Sequence, residues 1–277
     1  NLNDSKPKYL NLRNSDIFTK SSVLFGINAA AREAKASGFV IAVEGAPDVL
    51  RLQSVGLMNC VAALGIAWSD SHFEALAKLT RAICFIPDTD LPTEDEPFGA
   101  GFKAVMHNGA EATRRGFDVT VRELPLGDKD GHCTKNDPDS HIKTKEDFYC
   151  LVEKHFVVWL AEKRFMYART MADEKAAVAE IAGLMALSDD GIAVDGCITK
   201  LSAIYGDPGM WTSALSRAKA DTQSAENGRN TPGRPTMTEL MKKHNLFVKD
   251  NMYYSAGGDQ PLRLSNFIME PMYHIKD

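Results

Sequence analysis

Between Val23 and Leu124 the chain alternates short, mainly apolar runs with helical patterns, and this alternation constrains the fold more than any other feature. FVIAV (39–43), NCVAALG (59–65), AICFI (82–86) and VTVREL (119–124) are strand candidates, each brief and bounded. Apolar runs of this length suit strands covered on both faces, as in a parallel sheet. The segments between them read as helices. VLFGINAAAREAK (23–35) carries an apolar face through Leu24, Ile27, Ala31 and Ala34 and ends at Gly38. A second helix holds Val49, Leu50 and Leu52 and stops near Gly56, and a third runs from His72 to Leu79 with Ser69 or Asp70 as its cap. A fourth extends from about Gly101 to Arg115 and closes at Gly116. Strict alternation implies an α/β fold, a parallel sheet with right-handed crossovers flanked by helices.

Past Pro125 the character changes. GDKDGHCTKNDPDSHIKTK (127–145) is a polar loop, and helical spacing then dominates from about Lys145 to Ala220, with breaks at SDDG (188–191) and GDPG (206–209). Residues 222–235 have the composition of a linker. A short helix at 236–244 and small strands around Gly257-Gly258 follow. The expected organisation is a segment 1–22 continuing from an upstream domain, an α/β domain over 23–142, a small helical domain over 143–221, the linker, and the start of a further small domain or tail over 236–277. The first residue is Asn1 rather than methionine, as expected of a piece of a longer polypeptide.

Composition narrows the function. A chain of 277 residues, 44% hydrophobic, can bury a sizeable core. Its net charge of -5 means that any contact with nucleic acid must come from a local basic patch. Cys60, Cys84, Cys133, Cys150 and Cys197 form no CxxC pair, so they read as reduced thiols rather than zinc ligands or disulfides. Neither a membrane-spanning apolar run nor a signal segment is evident, which points to the cytoplasm.

The carboxylates sit where chemistry is expected. Glu44 directly follows FVIAV, and Asp88 and Asp90 follow AICFI after a single proline. In an open α/β sheet, ligands bind beyond the C-terminal strand ends, so two strands aim acids at one region. Spaced by two, Asp88 and Asp90 would point the same way, with Thr89 facing away. Oxygen-only ligands suit Mg²⁺ or Mn²⁺, and a cation relieves the repulsion among them. Gly45 fits a tight strand exit with the backbone passing close to a ligand. Asp48, one turn beyond Glu44, is equally a metal-side acid or a first-turn acid stabilised by the helix N-terminus.

VIAVEGAPDVLRLQSVG (40–56), VAALGIAWSDSH (61–72), ICFIPDTD (83–90), VTVRELPLG (119–127) and NDPDS (136–140), preceded by SSVLFGINAAAREAKASG (21–38), resemble in order and spacing the Toprim domain of bacterial DnaG-type DNA primases. The resemblance covers roughly residues 15–142, and more loosely the helical stretch to about 220. It implies a Toprim-like sheet followed by a helical segment. It also implies a catalytic and metal-binding role for Glu44, Asp88 and Asp90, further metal-side acids at Asp137 and Asp139, supporting positions at Asp48, Gly45 and Gly65, and nucleotide or template contact by Lys20 and Lys129.

The chain departs from the family pattern twice. LPTEDEPFGAG (91–101) follows the DTD motif and adds Glu94, Asp95 and Glu96, and DKDGHCTK (128–135) separates LPLG from NDPD, so the match of Asp137 and Asp139 requires that insert to loop out, with Asp128 and Asp130 as the fallback pair. The implied activity is metal-dependent nucleotidyl transfer, making RNA primers from ribonucleoside triphosphates on single-stranded DNA. Implied partners are the replicative helicase and single-strand-binding protein, with a zinc module and a basic domain upstream. Toprim folds also serve nucleases and topoisomerases, which cut DNA, and a non-catalytic DNA-binding accessory module is the alternative from another class. The tyrosines a topoisomerase would need, Tyr149, Tyr167, Tyr205, Tyr253, Tyr254 and Tyr273, have no recognisable context.

Overall fold

In chain order the elements are α1 (Ile27–Ser37), β1 (Val40–Val43), α2 (Ala46–Ser54), β2 (Cys60–Ala62), α3 (Asp70–Ala77), β3 (Ala82–Phe85), α4 (Ala100–Arg114), β4 (Asp118–Arg122), α5 (Pro138–His141), α6 (Lys145–Cys150), β5 (Glu153–His155), α7 (Phe156–Tyr167), α8 (Met171–Met185), α9 (Gly191–Ile204), α10 (Pro208–Arg229), β6 (Leu246–Lys249), β7 (Met252–Ser255) and β8 (Leu262–Arg263). This computed structural model describes residues 23–63, 65, 67–90, 98–127, 136–188, 190–229, 246–249, 252–255 and 262–263. The expected segment 1–22, the helix at 236–244 and the turn at Gly257-Gly258 lie outside them. The chain forms two compact units, Asn1–Ala220 and Asp221–Asp277.

In the first unit the apolar runs become one sheet of order β2-β1-β3-β4-β5. The first four strands are parallel, in register Ile41 to Cys60, Ile41 to Cys84 and Cys84 to Thr120. β5 departs from the all-parallel expectation, pairing antiparallel with β4 through Thr120 and His155. Its three residues, Glu-Lys-His, carry no apolar signal. Arg122 locks this edge by donating to Glu153 and to the carbonyls of Phe148 and Leu151.

Strand alternation divides the apolar side chains between two cores. Val40, Ala42, Ile83, Phe85, Val119 and Val121 pack on one face with residues of α1, α3, α4 and α7. Ile41, Val43, Cys84 and Ile86 face the other way, against Val49 and Leu52 of α2, Ile142 and Phe148. Each large side chain so buried contributes about 1.5–3 kcal/mol. This double cover explains why FVIAV and AICFI show no polar alternate.

Leu24 and Phe25, read as the start of the first helix, are extended instead. Phe25 and Ala62 exchange backbone hydrogen bonds of 2.8 and 3.1 Å. Gly26, at φ 83°, then turns the chain into α1. A side chain there would meet Val49 Cγ1 at 2.8 Å and the Cys60 carbonyl at 2.9 Å.

The expected helical stretch is present as α6 to α10. Phe156 to Ala161 of α7 are all buried, so the first half of this helix is apolar all round and lies inside the unit, whereas Glu162, Lys163 and Arg164 make its second half polar. α8 and α9 pack on it. α10 continues to Arg229, so the opening part of the stretch read as a linker is helical. In the second unit, β6, β7 and β8 form an antiparallel sheet. Among the described residues no helix is long and apolar enough to cross a membrane.

Candidate functional site

β1 and β3 are adjacent and parallel, so their C-terminal ends open on the same edge of the sheet. Glu44 leaves β1 there, exposed, and Asp88 and Asp90 follow β3, both half-buried. Between those aspartates Thr89 is buried, its hydroxyl donating to the Leu124 carbonyl at 3.1 Å. Its backbone exchanges hydrogen bonds with Asn136.

The first turn of α4 closes over this edge. The Gly101 N–H donates to Asp90 Oδ2 at 3.3 Å. A Cβ on Gly101 would lie 2.5 Å from the Asp88 carbonyl oxygen and 2.7 Å from Glu44 Oε1, and one on Gly99 would lie 2.1 Å from the Asp90 Cβ. Two glycines thus let a helix N-terminus press directly on the acids, bringing its positive end to them. Neither glycine was among the expected site residues. The spacing Gly-Ala-Gly at a helix start was the signal available.

Asp48 is 7% exposed and sits in the first turn of α2. Its carboxylate accepts the Gly45 N–H at 3.1 Å and the Asp139 N–H at 3.3 Å. Burial above all, and then the charges of Asp88 and Asp137, push its pKa up from 3.8 to about 6, against the lowering pull of those two amides. Capping and membership of the acidic cluster therefore coexist in one side chain. Gly45 has φ -119°, backbone any residue adopts, so no tight turn demands glycine. What a side chain would meet is Asp48 Oδ2, at 3.1 Å.

Asn136 returns the chain to the site. Its amide donates to the carbonyls of Pro125 and Gly127 at 2.6 and 2.8 Å, so the two sides of the 128–135 insert come together. Asp137 caps α5, accepting the Ser140 N–H at 2.7 Å. The Asp139 carboxylate receives Arg51 Nε at 2.8 Å, tying α5 to α2. Arg51, one turn beyond Asp48, was not expected at the site.

Gly65 lines a cavity of about 170 Å³ beside Glu44, floored by Ala42, Val43, Phe85 and Ile86. A larger cavity of about 430 Å³ lies at the start of β4. Lys20, Lys129, Asp128, Asp130, Glu94, Asp95 and Glu96 lie outside the described residues. Among the described residues, no group of three or more His, Cys, Asp and Glu side chains is close enough to hold one metal ion.

Over 141 residues, half of its length, the chain is 32% identical to the DNA primase of Staphylococcus epidermidis, and it is 31% identical over 137 residues to that of Staphylococcus aureus. Sequence and fold together support a Toprim-like domain of the bacterial DnaG primase type. The likeness to solved primase structures covers about three quarters of the chain. The zinc-binding and RNA polymerase domains of Aquifex aeolicus primase superpose with TM-score 0.53 and 27% identity, over 76% of this chain and 48% of that one. A Pseudomonas aeruginosa primase domain, 24% identical, shares the fold with TM-score 0.57 over 78% of this chain and 65% of that one. This chain spans about a fifth of the length of the curated relatives it matches. No family model matches it.

Proposed function

We propose that this Toprim domain performs metal-dependent nucleotidyl transfer within a DNA primase, joining ribonucleotides into an RNA primer on single-stranded DNA. The observation that carries the reading is the delivery of Glu44, Asp88 and Asp90 by adjacent parallel strands to one edge, where a glycine-lined helix N-terminus presses on them. The donor set fits Mg²⁺ or Mn²⁺: it is oxygen-only, and the charge gathered beside Asp48 is of the kind a cation relieves. Magnesium sites in such enzymes take one or two carboxylates and complete the shell with water and substrate phosphates, so a preformed cage is not required.

Glu44, Asp88 and Asp90 would hold the ion. Asp137 lies close enough to be felt by Asp48, whereas Asp139 would have to leave Arg51 to contribute. Bound there, a divalent cation would supply acidity to the attacking 3′-hydroxyl and neutralise charge on the departing pyrophosphate. Glu44, exposed at the edge, would accept the hydroxyl proton. Asp48 and Gly45 fix the turn behind it, and Gly65 borders the cavity at its side. Lys20 and Lys129 are assigned to nucleotide or template contact from the family pattern. The primase reading also assigns the protein to the cytoplasm, with the replicative helicase and single-strand-binding protein as partners.

The test is primer synthesis by the longer protein on single-stranded template with ribonucleoside triphosphates and Mg²⁺ or Mn²⁺. Primers are expected, and Asp88→Ala with Asp90→Ala should abolish them. Nicked template with no primer would overturn this reading in favour of a nuclease.

A further inference from the structure

α4 and α7 run antiparallel and meet at successive points along their lengths. Phe98, just before α4, lies edge-on to Tyr167 at 4.6 Å between ring centroids. Phe102 lies edge-on to Trp159 at 5.7 Å, with Lys163 Nζ 4.7 Å from its ring centroid. Farther along, a Cβ on Gly109 would come within 2.4 Å of the Phe156 ring, so the helices touch there almost backbone to ring. Contacts at both ends of the pair leave α4 little freedom to slide.

A partly buried ion pair anchors the end nearest the acids. Glu123 follows β4, at the same sheet edge as Glu44 and Asp88, and accepts Lys163 Nζ at 2.7 Å and Trp159 Nε1 at 2.9 Å. Lys163 is only 7% exposed. Such a pair gains little stability over apolar packing, but it fixes one geometry, because the buried Lys163 ammonium without Glu123 is costly. Phe102 is covered by the two side chains that donate to Glu123, and its chain neighbour Gly101 touches Asp88, Asp90 and Glu44.

We infer that Glu123 and Lys163 are positioning residues for the acidic site: through Phe102 they set the axial position of α4, and so the placement of its first turn against Glu44, Asp88 and Asp90. The helical segment is on this view part of the catalytic apparatus. The inference deepens the proposed function and rests on it for the metal readout alone.

The test uses the whole 277-residue chain with Glu123→Gln/Lys163→Met, which removes both charges together, and Phe102→Leu, which loosens the contact without touching a charge. Two quantities are read. The Gly101 amide belongs to the first helical turn and has no helical carbonyl to bind, so its hydrogen-exchange protection reports the bond to Asp90. Mn²⁺ affinity reports the acids. Both variants should speed Gly101 exchange and weaken Mn²⁺ binding, each by about tenfold, the lower end for residues that orient metal ligands. Exchange at Ile83 and Val119 should stay unchanged, and Lys163→Arg should resemble the wild type. Folded variants with wild-type Gly101 exchange would overturn the inference. A wild type that binds no Mn²⁺ would sink the metal reading instead, while Gly101 exchange still decides the positioning role.

Discussion

Replacing Asp48 by asparagine should stabilise the protein at neutral pH. The pKa of Asp48 rises from 3.8 to about 6 on folding, through burial and the neighbouring Asp88 and Asp137 charges. A folded pKa above the unfolded one means that the native state prefers the protonated acid. That preference supports the fold fully below about pH 4 and is lost as pH rises through about 6. A shift of about 2 units corresponds to about 3 kcal/mol. Asparagine keeps one acceptor oxygen but loses one of the two bonds from the Gly45 and Asp139 amides, about 1 kcal/mol. Asp48→Asn should therefore gain about 2 kcal/mol at pH 8 and lose about 1 kcal/mol near pH 4. Urea unfolding in EDTA at both pH values measures this, and Mn²⁺ at pH 8 should shrink the gain by stabilising the wild type. A difference between variant and wild type that is the same at pH 4 and pH 8 would contradict a raised Asp48 pKa in the folded state.

Gly109→Ala puts a methyl 2.4 Å from the Phe156 ring and should cost about 1–3 kcal/mol in denaturant unfolding. Arg51→Ala removes a half-exposed ion pair and should cost no more than about 1 kcal/mol, while freeing Asp139 and tightening Mn²⁺ binding in a titration. Burial pushes the Cys60 and Cys84 thiols up to about 12, so iodoacetamide at pH 8 should label exposed Cys150 long before either, as peptide mass spectrometry would show.

The sheet was legible because β1 and β3 are buried on both faces, so that uninterrupted apolar runs such as AICFI leave no competing pattern, while β4 alternates buried Val119 and Val121 with half-buried Thr120 and Arg122. β5 was hidden because an edge strand of Glu153, Lys154 and His155 is defined by its partner β4 and by Arg122, not by its own hydrophobicity. Phe25 was absorbed into a helix because its apolar neighbours mimic helical spacing, whereas its bonds to Ala62 arise only in three dimensions. Glu44, Asp88 and Asp90 stood out by position at strand ends. Arg51 and the α4 glycines did not, since their importance comes from contacts with Asp139, Asp88 and Asp90 across long stretches of chain. Whether Asp48 caps a helix or joins the acids could not be separated in the sequence, because its buried carboxylate does both.

The most direct test of the central claim is anomalous diffraction from crystals of the chain grown with Mn²⁺. A manganese peak is expected at the ends of β1 and β3, bound by Glu44 and by Asp88 or Asp90, and should disappear in Asp88→Ala/Asp90→Ala. Manganese bound elsewhere, or a peak that survives the double substitution, would contradict it.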